Sequence, residues 1–285
     1  MSRNYSFIKT PEEIAGMKAG KSLYTDIKRI HMAWEIDQET YLRLLPPGLE
    51  PYAPVAIAFI ASFGNAGFHL SAYMEGALLI LAQKDGIVGG YCLAMPIQNG
   101  EMGILLGREA YGYPKKDAKI QIVHSGDTVR ASLTRNGITF FEVEGVACES
   151  PQKDPTLTVA GNKFGEPIPE MAYLLDYKAN MRGEGPAMSC LSFDDIVLCR
   201  QANEARFLSE IPLDVNITMR PSEDDPWIEL APKRIIAAAW QHIENNMLGS
   251  EVVKRYEGKD AEAVLPYCFA RWDTNIFGKD HDFYF

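Results

Sequence analysis

The stretch TVRASLTRNGITFFEVEGV, residues 128–146, holds two runs of apolar and β-branched residues joined by Arg135-Asn136-Gly137. Asn-Gly between two such runs is a strong hairpin signal, because both residues accept the positive φ that a tight turn requires. Outward from this pair the same texture repeats. PVAIAFIASF (54–63), GALLILAQ (76–83), GIVGGYCLAM (86–95), MGILLG (102–107) and AKIQIVH (118–124) are short apolar runs bounded by Gly, Asn, Asp or Pro. Each reads as a strand. Seven strands in so short a span predict a curled antiparallel sheet or barrel, since closure is how such a sheet avoids open edges.

Helical pattern is sparser. IDQETYLRLLP (36–46) has an acidic first turn and a proline stop, and PKRIIAAAWQHIENNML (232–248) reads as an amphipathic helix. DDIVLCRQANEARFL (194–208) reads as strand followed by helix, DPTLTVAGNKFGEPIPEM (154–171) as a loop, and SEDDPW (222–227) as an acidic turn. Without an internal repeat or a linker-like shift in composition, residues 1–285 are expected to form one α+β domain, predominantly antiparallel β with a few flanking helices.

Charge and cysteine content narrow the function classes. The 38 acidic against 28 basic residues give a formal charge of −10, which disfavours nucleic acid and anionic membranes as partners. Five scattered cysteines lack any zinc-binding spacing and predict reduced thiols. The five histidines form no local ligand set, so no metal is expected. The amino-terminal segment has no apolar signal core and no run is long enough to span a membrane, which predicts a cytoplasmic protein.

One segment departs from the bland pattern. GREAYGYPKKDAKI (107–120) places Lys115 and Lys116 behind a Gly-Tyr-Pro turn and next to an apolar run, although lysine is rarely buried unless paired. GREAYGYPKK, with AYMEGALLI (72–80) upstream, resembles the signature region of the acetoacetate decarboxylase-like superfamily, most clearly over residues 30–146. The resemblance implies that family's curled β fold and a Schiff base between Lys115 and the carbonyl of an oxo acid, with no cofactor. It also implies a homo-oligomer, for which the aromatic tail NIFGKDHDFYF (275–285) is a candidate interface or pocket lid.

By the same resemblance, Glu75 supplies acid–base chemistry or orients the imine, and Arg29 stands where an arginine holds that glutamate. A lone carboxylate between apolar strands needs a partner in any case. An amine attacks a carbonyl only when unprotonated, and an ordinary lysine, with a pKa of about 10.4, is almost wholly charged at neutral pH. Burial among Tyr113, Met95 and Met102, with Lys116 as a neighbouring like charge, is expected to favour the neutral amine. Arg108 is expected at the substrate pocket or paired internally with Glu109 to shape the turn before Pro114.

The sequence also departs from the family. Acetoacetate decarboxylases carry a second glutamate in the strand matching PVAIAFIASF, which here has no acid. The expected activity is therefore decarboxylation of a 3-oxo acid other than acetoacetate. Aldolase-dehydratase or hydratase chemistry on a 2-oxo acid through the same imine is an alternative, and so is a non-catalytic binding member of the fold.

Overall fold

The computed structural model describes residues 7–16, 23–65, 70–149, 170–184 and 190–273. The tail 275–285 and most of the loop 154–171 lie outside the described residues. The strands are β1 (Leu23–Glu35), β2 (Glu50–Phe63), β3 (Tyr73–Lys84), β4 (Ile87–Gln98), β5 (Lys115–Asp117), β6 (Lys119–Ser125), β7 (Thr128–Arg135), β8 (Ile138–Ala147), β9 (Glu170–Glu184), β10 (Cys190–Met219) and β11 (Arg234–Arg255). Helices are few and short: α1 (Pro11–Gly16), α2 (Gln38–Leu44), α3 (Glu101–Leu106) and α4 (Gly258–Val264), with a π-turn at Gly107–Tyr111 and 3₁₀ turns at Trp227–Leu230 and Leu265–Arg271. Among the described residues, no helix is long and apolar enough to cross a membrane.

The strands pair in the order β11-β1-β2-β3-β4-β9-β10-β8-β7-β6, and β10 also pairs β11. That additional pairing closes a ring from β11 through β10, which is how this sheet disposes of its edges. β10 is long enough to serve three neighbours: residues up to Ala205 pair β9, Val197–Pro212 pair β11, and Leu213–Met219 continue onto β8. β6, β7 and β8 extend the ring as a flap. Asn136 and Gly137 take the positive φ values of the expected hairpin, 49° and 77°.

Period-two alternation then gives the central parts of β1 to β4 two buried faces. Ile30, Met32, Ala58, Ile60, Leu78 and Ile80 face outward and form the main core with Ile120, Leu133 and Phe140 of the flap. The alternate residues, among them Ala33, Ile57, Ala77 and Leu79, face the ring interior. Both faces of β2, β3 and β4 are mostly apolar, so those strands read as nearly continuous apolar runs.

Three predicted elements differ. MGILLG is α3 leading into the π-turn. Its buried positions are Gly103, Gly107 and Tyr111, four residues apart on one helical face, whereas Met102 and Leu105 are exposed. Of residues 232–248, all from Arg234 onward belong to β11, paired with β1 and β10. Its Ala-rich run favours a helix locally, but pairing on both edges overrides that weak preference. DDIVLCRQANEARFL is strand throughout, held by β9 and β11. The helix expected over 36–46 is α2, capped by Asp37, whose carboxylate accepts from the Glu39 and Thr40 amides.

Candidate active site

The ring interior keeps a cavity of about 170 Å³. β5 runs parallel to β4, with Met95 opposite Lys115. Alternation along this three-residue strand sends Lys115 into the cavity and Lys116 to the other side. Lys115 is 5% exposed and its ammonium contacts the Glu75 carboxylate, itself 5% exposed. Tyr113 and Tyr73 flank the amine, with ring centroids 5.6 and 5.9 Å from Nζ. Gly107 makes room for the lysine arm: a β-carbon there would stand 2.5 Å from Lys115 Cε.

Glu75 sits in a cross-strand row, opposite Ala61 of β2 on one side and Ile97 of β4 on the other. Ala61 is opposite Arg29 of β1 in turn. Arg29 therefore reaches the cavity two strands away from the glutamate, and its Nε donates to Gln241 Oε1 at 2.7 Å. Gln241 Nε2 donates onward to Glu210 at 2.6 Å. Glu75 is thus held by Lys115, and Arg29 is anchored by an amide. Burial lowers the Arg29 guanidinium to about 10, with Glu210 opposing the shift. Burial, reinforced by Arg29, pushes His31 well below the ordinary imidazole range, so this cavity-lining group is neutral.

Lys116 does not stand beside Lys115 as a like charge. Its ammonium donates to the Asp224 carbonyl at 2.6 Å and lies 3.2 Å from Asp273 and 3.9 Å from Asp225. Arg135 binds the same two carboxylates at 2.7 Å each. Met95 and Tyr113 line the cavity as expected, but Met102 is 62% exposed, because α3 turns it outward. Arg108 is half-buried on the π-turn, outside the cavity wall, and the neighbouring Glu109 is exposed.

Two features lie outside the set of residues singled out in the sequence. An amide chain backs one wall, with Asn203 and Asn245 at the cavity: Tyr113 Oη donates to Gln201 Oε1 at 2.8 Å, Gln201 pairs with Asn203, and Asn245 Nδ2 donates to Asn203 Oδ1 at 3.0 Å. Behind the lysine, Asp176 of β9 is only 1% exposed, and burial raises its carboxyl well above the usual range against the pull of Arg271 and Lys115. The cavity otherwise presents apolar groups. The β2 side chains facing it are Ile57, Phe59, Ala61 and Phe63, none of them acidic.

A curled ring of antiparallel strands is also the fold of the acetoacetate decarboxylases among solved structures. The sequence profile of the acetoacetate decarboxylase (ADC) family matches residues 13–257, and the chain belongs to that family. It is 24% identical over 279 residues to the CLA biosynthesis isomerase of Lactiplantibacillus plantarum, spanning 95% of this chain and 96% of that one. Among solved structures, the acetoacetate decarboxylase of Legionella pneumophila superposes with a TM-score of 0.71 at 16% identity, covering 90% of this chain and 99% of that one. The enduracididine biosynthesis enzyme MppR, complexed with pyruvate, gives 0.64 at 16% identity, with 90% and 99% covered.

Proposed function

We propose that this chain forms an imine between Lys115 and the carbonyl of an apolar oxo acid, and that Glu75 then moves a proton on the activated substrate. The observation that carries this reading is the buried contact between Lys115 and Glu75 at the wall of an apolar cavity. Transfer of the ammonium proton to Glu75 frees the amine for attack. A carbon–nitrogen bond forms, the carbon–oxygen bond breaks, and the two protons of the departing water come from the original ammonium. The iminium is left beside a carboxylate that is again ionised.

From that point the iminium accepts an electron pair from a neighbouring bond. In double-bond isomerisation, Glu75 removes a proton from the carbon between the iminium and a C=C bond, and the dienamine is reprotonated at its far end. Hydrolysis then releases a conjugated oxo acid. This outcome needs one base and no group acting on a departing carboxylate, as suits a β2 wall of Ile57, Phe59 and Ala61. The nearly full-length likeness to an isomerase favours the same outcome. Decarboxylation of a 3-oxo acid is the second reading, favoured by membership of the family; there the electron pair of the C–CO₂ bond enters the iminium, CO₂ leaves, and the enamine carbon takes a proton that water supplies through Glu75.

Borohydride reduction tests the imine, since only an imine leaves a reduced, mass-shifted lysine. Incubation with a medium-chain β,γ-unsaturated ketone acid should label Lys115, and Lys115→Ala should abolish both label and turnover. Labelling confined to Lys116, or no labelling by any member of a broad oxo-acid panel, would overturn the proposal. Growth of enone absorbance against release of CO₂ separates the two outcomes. Each buried methylene is worth about 0.8 kcal/mol, so a few extra carbons should raise kcat/KM over acetoacetate by roughly one to two orders of magnitude. Acetoacetate as the best substrate of the panel would sink the isomerase reading.

A further inference from the structure

Asp176 is a carboxyl group placed where an ion is costly. It stands opposite Cys199 of β10 in the sheet register, and the preceding residue Leu175 is opposite Tyr91 of β4. The turn that leads into Lys115 crosses directly over it. Gly112, at φ +86°, would bring a β-carbon within 3.5 Å of the Asp176 β-carbon, and Arg271 clamps the same turn by donating from Nη2 to the Gly112 carbonyl at 2.7 Å. Neither carboxyl oxygen of Asp176 has a hydrogen-bond partner among the described residues.

The groups that face Asp176 come from each surrounding element. Lys115 and Tyr113 belong to β5 and its turn, Cys92 and Tyr91 to β4, Cys199 to β10, and Arg271 to the 3₁₀ turn. The amine of Lys115 is engaged by Glu75, and Arg271 Nη2 is engaged by the Gly112 and Tyr177 carbonyls. Lys178, two residues along β9, donates to the Glu109 carbonyl. The tyrosines and cysteines are themselves raised by burial and carry no charge near neutral pH. A buried carboxylate survives as an ion only when hydrogen bonds and a cation compensate its lost hydration. Asp176 has only cations at a remove.

We infer that Asp176 is a positioning residue for Lys115: an uncharged carboxylic acid beneath the lysine's turn, which leaves Glu75 as the anion that contacts the amine. The inference rests on the imine reading and adds a condition to it. Carboxylates on both sides would hold the lysine as an ammonium and slow its attack. A neutral acid of the same shape fills the space and leaves the proton free to pass to Glu75. Ionisation of Asp176 at high pH reverses this and withdraws the reactive amine.

The test compares the wild type with Asp176→Asn, an isostere that is neutral at every pH. Cyanate, small enough for the cavity, reads the nucleophilicity of Lys115 by mass spectrometry without any oxo acid. The rate at Lys115 should differ less than about threefold between the two proteins at neutral pH, and the wild type should fall behind the variant as pH rises. Difference infrared spectra, wild type minus variant, should show a protonated carboxyl stretch at neutral pH that disappears over the same range. An ionised carboxylate at neutral pH, a tenfold change in cyanate rate there with unchanged circular dichroism, or superimposable profiles through the ionisation would each overturn the inference. Asp176→Leu provides a second neutral variant if the asparagine perturbs folding. Failure of every oxo acid to label Lys115 would remove the imine reading, while the cyanate and infrared results would still decide the charge of Asp176.

Discussion

Gly107→Ala isolates the position of the lysine from the stability of the fold. A β-carbon at residue 107 would lie 2.5 Å from Lys115 Cε, 2.7 Å from Lys115 Cδ and 3.4 Å from Tyr113 Cδ2. Carbon atoms settle at about 3.5–4.0 Å, so the tyrosine contact is nearly ordinary whereas the lysine arm must move by about 1 Å. The backbone resists nothing: Gly107 has φ −63° and ψ −43°, and alanine in a helical position is favoured over glycine by about 1 kcal/mol. The substitution should therefore preserve or raise the thermal midpoint while pulling Nζ away from Glu75. A displacement of about 1 Å at a reacting group costs on the order of 100-fold in rate. Borohydride labelling and turnover should both fall by that factor, with the melting transition as the control. Labelling within threefold of wild type would refute the reasoning, since it would mean that the lysine does not need the place it occupies.

Three other substitutions probe the surrounding groups. Glu75→Gln keeps the shape but cannot accept a proton, and turnover should fall by about 10²–10⁴-fold, more steeply than borohydride labelling; equal losses would assign Glu75 to imine formation alone. Lys116→Met should leave labelling of Lys115 within about threefold, because the two side chains face opposite sides of β5, and should lower stability by about 1–3 kcal/mol by stripping a cation from Asp225 and Asp273, read by urea unfolding. Asp176→Asn should stabilise the fold increasingly as pH rises. The native carboxyl is raised, so the stability it contributes is fully present below the unfolded value of about 3.9 and is lost as pH climbs through the native value. The variant has no such loss, and the gap between the two proteins widens by about 1.4 kcal/mol for every tenfold by which folding weakens the acid. Parallel pH–stability curves from pH 4 to 8 would contradict the neutral assignment.

The legibility of the chain followed the range of the interactions involved. Hairpins such as Arg135-Asn136-Gly137 are decided by adjacent residues and stood out, as did α2 with its acidic first turn and proline stop. The Ala-rich run of β11 did not, because β1 and β10, far away in sequence, make it a strand. The spacing of Gly103 and Gly107 was the one local hint that MGILLG is a helix pressed against Ile97 and the lysine arm. Lys115 and Glu75 were legible from their motifs, whereas Asn203 and Asn245 reach the cavity only through the closure of the ring by β10 and β11. Asp176 carried a usable signal: a single acid in the apolar run YLLDYKA (173–179) is the same anomaly that drew attention to Glu75 in its own strand.

One dipeptide serves two ends because β5 alternates. Lys116 ties the short strand to Asp224 and Asp225 of the acidic turn and to Asp273, while Lys115 enters the cavity from the other face. Around Lys115 the balance of charge is narrow. Its ammonium and Glu75 cancel, Arg29 stands as a cation two strands away, His31 is neutral, and the β2 wall adds no acid. A cavity of about 170 Å³ does not exclude a short 3-oxo acid by size. On the imine reading it would select by electrostatics instead, since such a substrate would bury its carboxylate two bonds from the iminium carbon and close to the Glu75 anion. A longer oxo acid places the same carboxylate several bonds away and offers apolar carbon to Phe59, Ile57 and Met95. With the charge removed from the reacting centre, the bond left for Glu75 to break is a C–H bond, and proton migration along an unsaturated chain becomes the chemistry this wall favours.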